Sequence, residues 1–198
     1  TMFPAHLEAK AVQALHVLIA AAGYGTGYRA DHLVGVRAAV NALVRSMFPQ
    51  PVGDPDISGS IVLEGYDYVH PVKVATLSIL MGRLLGLPEP DLVRLGLVAM
   101  LQNVGYVNLP PGLLEKPGPL DEEERDYLAR HPRASVDLLK DAGLDDATLQ
   151  GIAHHHERWN GSGYPARLRG NAISLFARIT AIADAFHSLV SKRPFRPP

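Results

Sequence analysis

The chain sets His154, His155 and His156 in a row, follows them with Glu157, and then runs into Gly161-Ser162-Gly163-Tyr164-Pro165. Neutral imidazole is a common ligand for Zn, Fe and Cu, and adjacent histidines can converge on a cation where a helix ends. The competing reading is a solvated histidine run beside a rigid turn, because ligation needs further partners from distant segments. The chain has no cysteine. Disulfides, thiolate catalysis and cysteine-held zinc or iron–sulfur centres are therefore excluded, and a metal here must be held by histidines and carboxylates. That donor set suits hydrolytic chemistry.

Charge points to the same end of the chain. The formal net charge is −1, but residues 151–198 carry seven basic side chains against Glu157 and Asp184, a local +5. Guanidinium groups bind phosphate bidentately, so this segment suits an anionic phosphate ligand. A nucleic-acid polymer is disfavoured by the near-neutral total and the few aromatics.

Helices must position these residues. Apolar side chains recur at helical spacing over 6–22 and 31–47, with Gly23, Gly25 and Gly27 between, which predicts a packing hairpin. A Pro/Gly-rich piece over 49–59 reads as a linker with its boundary near Ser58, dividing the chain into a preface (1–57) and a main domain (58–198). Further helices are predicted over 61–85, from Pro90-Asp91 to about Asn103, from the acidic run Asp121 to Glu124, from His131-Pro132, over 145–156 and over 173–191. The acids at 121–124 are expected to serve a helix start rather than a metal. No strand-like alternation of useful length occurs, so the expected fold class is all-α. No apolar run approaches the roughly 18 residues of a membrane span, and the N-terminus lacks a secretory pattern. A cytoplasmic chain with no membrane contact is the expectation.

With the helices placed, His70, Gln102-Asn103, Lys116-Pro117-Gly118, His131, His155-His156-Glu157-Arg158, Gly161-Ser162-Gly163-Tyr164-Pro165, Asp184 and Ser191-Lys192-Arg193-Pro194-Phe195-Arg196 fall into a familiar order. Together they resemble the HD-GYP family of bacterial cyclic di-GMP phosphodiesterases, over about residues 64–198. The resemblance implies an HD-superfamily helical bundle preceded by the short hairpin. It also implies a site in which two or three metal ions, often iron or manganese, activate a water that attacks a phosphodiester. The chain ends soon after Arg196, where members continue through further helices, so a domain truncated at its C-terminus is expected.

The chain departs from the family at the centre of that site. Where members read His-Asp-x-Gly-Lys it has Gln102, Asn103, Val104, Gly105 and Tyr106. Asn103 stands at the metal-bridging aspartate, Gln102 at an imidazole ligand and Tyr106 at a phosphate-orienting lysine. Tyr66 stands where some members carry a glutamate, and Asn160 where they carry an aspartate. The metal positions that match are His70, His131, His155, His156 and Asp184, and at most one Fe, Mn or Zn ion is expected there, with a metal-free pocket as the alternative. The nucleotide-contact positions that match are Tyr164, Arg193 and Arg196. His154 and His187 match no ligand and read as surface or packing residues. Trp159 is either a protein-contact anchor or packed core.

The expectation is a catalytically degenerate HD-GYP domain that binds cyclic di-GMP or a related cyclic dinucleotide, or docks a GGDEF-type cyclase through its GYP loop. The alternative is a phosphodiesterase with residual activity from a single metal. Self-association as a homodimer is a third, structural possibility.

Overall fold

A computed structural model describes residues 4–21, 27–48, 66–114 and 116–191. The Ser58 boundary, the whole 49–59 linker, the Tyr66 side chain, Arg193 and Arg196 lie outside the described residues. Those residues form eight α-helices and no strand: α1 Ala5–Ala20, α2 Val34–Met47, α3 Tyr66–Leu84, α4 Glu89–Leu101, α5 Glu122–Ala129, α6 His131–Leu139, α7 Asp146–Ala153 and α8 Leu175–Val190. The all-α expectation holds. No helix among them is long and apolar enough to cross a membrane.

Local chemistry sets the helix ends. Pro88 is extended before α4, Pro90 occupies its first turn, and Glu89 and Asp91 complement its dipole there. Asp121 and Glu124 form a reciprocal capping box on α5, so the acidic run does serve a helix start. Asp145 caps α7 through Thr148 N, and Ser174 caps α8 through Ala177 N.

α3 is the axis of the fold. Every residue from 69 to 80 is buried, as expected of a helix surrounded by others rather than laid on a surface. It packs against α1, α2, α4 and α8. One apolar cluster runs through Leu15 and Leu18 of α1, Val40 and Leu43 of α2, Val72 and Ile79 of α3, Leu97 and Val98 of α4, Ile152 of α7 and Ala183 of α8. The first two helices thus share their core with the rest.

Burial obliges the polar residues of α3 to find partners. Lys73 Nζ donates to both carboxylate oxygens of Glu8 at 2.9 and 2.7 Å, and both residues are buried. Thr76 Oγ1 donates to the Val72 carbonyl at 2.9 Å. His70 reaches α8, where the site begins.

Candidate metal centre

α7 stops at Ala153, three residues short of the predicted end, and His154 takes its C-cap position. His155 and His156 therefore sit on a turn just beyond the helix. The chain reverses there because Glu157, 5 % exposed, accepts from Ala166 N at 2.6 Å and Leu168 N at 3.0 Å. Glu157 follows the histidine run in sequence without a ligand assignment of its own. Its carboxylate ties the 161–168 loop to the histidine turn, a role visible only once residues nine and eleven positions on fold back. Gly163 is needed at that contact, since a Cβ there would lie 2.4 Å from Arg158 N and 2.5 Å from the His156 carbonyl oxygen. The Tyr164 ring then stacks on His156, with centroids 4.9 Å apart and planes at 29°.

His131 arrives from the start of α6. Its Nδ1 lies 2.6 Å from the Leu128 carbonyl oxygen, and His155 Nδ1 lies 2.7 Å from that of Ile152. A carbonyl only accepts, so both rings carry their proton on Nδ1. Burial, reinforced by His156, pushes His131 down to about 3. His155 is held well below the usual imidazole value by burial and by the two neighbouring histidines. Burial also lowers His156. The neutral His131 and His155 rings thus face each other with unprotonated Nε2 atoms 3.3 Å apart. Two lone pairs at that distance repel unless a cation lies between or beside them.

The ligand atoms of His131, His155 and His156 all lie within 4.8 Å of one another, so these three could hold a metal ion. Carbonyl acceptors behind His131 and His155 are the usual outer partners of ligating imidazoles. The donor set fits one cation. A bound cation would supply charge stabilisation for a phosphoryl group.

The other wall is built differently. Gln102 is fully buried at the end of α4, and its Nε2 donates to Asp184 Oδ1 at 3.3 Å. Gln102 Oε1 and Asn103 Oδ1 are buried with no hydrogen-bond partner among the described residues. Asp184, on α8, accepts at 2.8 Å from His70 Nε2. Burial alone would raise the Asp184 carboxyl, but the His70 hydrogen bond and the nearby histidines outweigh it and hold it below the usual carboxylate range. The Tyr106 ring packs on His131 with centroids 4.5 Å apart. Gly105 admits this approach, since a Cβ there would lie 2.3 Å from the His131 carbonyl oxygen.

Between the walls is a cavity of about 650 Å³, lined on its polar side by His70, Asn103, Tyr106, His131, His156, Tyr164 and Asp184. Leu15 and Ile19 of α1 close the apolar side, which no sequence motif marks. Lys116 also lines it, with Nζ bound to both Glu124 oxygens at 2.5 and 2.6 Å. Burial, with Asp184 adding to it, raises the Tyr164 phenol. Asn160 is exposed and turns its Oδ1 onto Ser162 N at 3.0 Å, shaping the loop. Trp159 is 61 % exposed, with the Arg178 guanidinium 5.6 Å from its ring centre, so it is not core. His187, read from sequence as a surface or packing residue, is buried with Nδ1 2.8 Å from His70 Nδ1.

The HD domain family matches residues 62–198. The chain is 37 % identical to a cyclic di-GMP phosphodiesterase of Pseudomonas aeruginosa over 132 residues, 66 % of this chain and 32 % of that protein. It is 41 % identical to a cyclic di-GMP phosphodiesterase response regulator of Xanthomonas campestris over 59 % of this chain and 32 % of that protein. A 3'3'-cGAMP-specific phosphodiesterase of Vibrio cholerae is 37 % identical over 65 % of this chain and 25 % of its own length. The chain therefore spans a third or less of the length of these relatives. In fold it is similar to an HDG"Y"P protein from Bdellovibrio bacteriovorus, with a TM-score of 0.71 and 19 % identity over 96 % of this chain and 61 % of that one.

Proposed function

The chain belongs to the HD-domain family, and on that premise we propose that it is an HD-GYP-type signalling domain that binds a cyclic dinucleotide, cyclic di-GMP foremost, without efficient hydrolysis. The observation that carries this reading is the adjacent amide pair: Gln102 is fully buried with its Nε2 on Asp184, and Asn103, whose Oδ1 is buried without a partner among the described residues, lines the same cavity as His131 and His156. A neutral amide oxygen is a weak ligand and brings no charge. Two cations placed side by side would repel with no carboxylate bridge at position 103 to offset them. The cluster of His131, His155 and His156 holds one Fe, Mn or Zn ion, and the Tyr164 face and the basic segment with Arg193 and Arg196 receive the nucleotide. Residues 58–198 make up the signalling domain and 1–57 its helical preface, in the cytoplasm.

Calorimetry of cyclic di-GMP on protein of known metal content, with product analysis of the same samples, tests this. Micromolar binding without turnover is expected, and rapid turnover would overturn it. A second reading, residual phosphodiesterase activity from one metal, is favoured by the facing lone pairs of His131 and His155. It requires slow hydrolysis that depends on added Mn or Fe and disappears in His155→Ala. The exposed Trp159 beside the GYP loop supports docking of a GGDEF-type cyclase. Pull-down with and without Trp159→Ala checks that contact.

A further inference from the structure

The local charge of residues 151–198 suggests a phosphate ligand, but four of the seven basic side chains there stand away from the cavity. Arg158, Arg167, Arg169 and Arg178 are absent from its lining. The first three are exposed and Arg178 is half-buried. None of the four is ion-paired among the described residues. From 158 to 183 the chain holds no aspartate or glutamate.

Backbone contacts gather these residues. Glu157 accepts from the amides on either side of Arg167, those of Ala166 and Leu168. Gly170 N donates to the Trp159 carbonyl at 3.0 Å, and Arg169 Nε to the Asn160 carbonyl at 2.9 Å. Segments 157–160 and 166–170 therefore lie side by side, which places Arg158, Arg167 and Arg169 within one short stretch of surface around Trp159. The Trp159 ring lies against Gly170, where an added Cβ would come within 3.8 Å of it, and the Arg178 guanidinium is 5.6 Å from its centre. The ring is thus held from two sides yet 61 % exposed. Leu175 and Ile182, both exposed, stand one turn to either side of Arg178 on α8. Arg167 has φ 54°, alone among the described non-glycine residues in the left-handed region. Glycine adopts that conformation freely and long side chains rarely, so the loop holds an arginine where its backbone suits glycine.

We propose that this face is a docking surface for an acidic protein segment, one that sets an apolar side chain on Trp159 and carboxylates around it. Trp and Arg are enriched among the side chains that anchor protein interfaces. Guanidinium groups take carboxylates bidentately, and a face without acids repels nothing such a partner brings. A long polyanion fits worse. Residues 1–150 carry twelve basic against eighteen acidic side chains, so a nucleic-acid strand or an anionic membrane extending past the arginines is repelled by the rest of the molecule. The inference rests on reading Trp159 as a docking anchor and goes beyond it in stating the partner's charge.

Trp159 is the only tryptophan of the chain, so its fluorescence reports this face directly. The test titrates the whole chain with a short Glu-rich peptide carrying one central Leu, and with its Gln-rich counterpart, at low and high salt. Saturable binding of the acidic peptide is expected, with a blue shift of Trp159 emission, and it should weaken with salt and be lost in the Gln-rich peptide. Arg167→Gly, which relieves the positive φ, should weaken binding about 2- to 5-fold without lowering the unfolding midpoint. Equal binding of the two peptides, or binding of neither, overturns the proposal. Tighter saturation by a single-stranded oligonucleotide or by anionic phospholipid vesicles overturns it as well. A GGDEF-type cyclase captured through Trp159 but indifferent to salt and to Arg167→Gly sinks the acidic-partner inference alone. Binding of the acidic peptide with no capture of the cyclase supports the inference and sinks the cyclase reading alone.

Discussion

The two walls of the cavity are built to opposite standards. On the histidine wall, His131 and His155 are each backed by a carbonyl, stripped of charge by burial and aimed at one another. On the amide wall, Gln102 and Asn103 present carbonyl oxygens that nothing among the described residues satisfies. A buried acceptor without a donor costs about 1–3 kcal/mol, and a lone-pair clash is a second liability. Asn103 and His131 line the same cavity. One wall carries two imidazoles each backed by a carbonyl, while the other carries two neutral amides beside the single carboxylate of Asp184.

Substitutions on the histidine wall should have the largest effects. His155→Ala removes a fully buried ligand, and cation affinity measured by calorimetry should drop by at least about 100-fold, more than the loss of an outer partner alone. Retained affinity would mean that the cluster is only packing. Next comes repair of the amide wall. Gln102→His with Asn103→Asp and Tyr106→Lys should raise the metal content per chain, by atomic absorption, from one toward two and bring measurable phosphodiester hydrolysis. If neither appears, the two walls do not address one site.

Acid separates the walls by another route. His131 ordinarily titrates near 6.5 but is held down to about 3 in the fold, so below 6.5 the unfolded chain takes up a proton that the folded chain refuses. Stability is therefore complete above about pH 6.5 and declines as pH falls toward 3, at a limiting slope of ~1.4 kcal/mol per pH unit from this residue alone. Denaturant unfolding at stepped pH should show the decline, and His131→Gln should flatten it. A smaller effect is expected at Glu157→Gln, which weakens the two amide contacts to Ala166 and Leu168 and should cost about 1–3 kcal/mol. Its unfolding midpoint should fall with the cation site still functional. The smallest belongs to Trp159→Ala, which should shift stability by no more than about 0.5 kcal/mol because the ring is 61 % exposed.

Much of this was legible in sequence, for local reasons. The starts of α4, α5 and α8 follow from Pro, Asp and Ser acting on their own next turn. The histidine turn and GYP loop could be found because their residues are close neighbours along the chain. What stayed hidden spans long separations. The His70–His187 contact joins residues 117 apart, and the Glu8–Lys73 pair residues 65 apart. Helical periodicity reports which face of a helix is apolar, but not which helix it meets. Lys73 would be assigned to solvent on composition, and Leu15 and Ile19 carry no sign that they close a cavity. The tie from Glu157 to the backbone of Ala166 and Leu168 could not be read from its place beside three histidines.

The Glu8–Lys73 pair has a consequence for any shortened version of the chain. A form beginning at α2 would leave the buried Lys73 ammonium with its counter-charge deleted, at a cost of about 3–5 kcal/mol. That charge sits three residues beyond His70 on the same helix, so the damage would register where His70 meets Asp184. The same cut would remove Leu15 and Ile19 and open the cavity to water. α1 thus serves the site twice, through the counter-charge of Lys73 and through two side chains of the cavity lining.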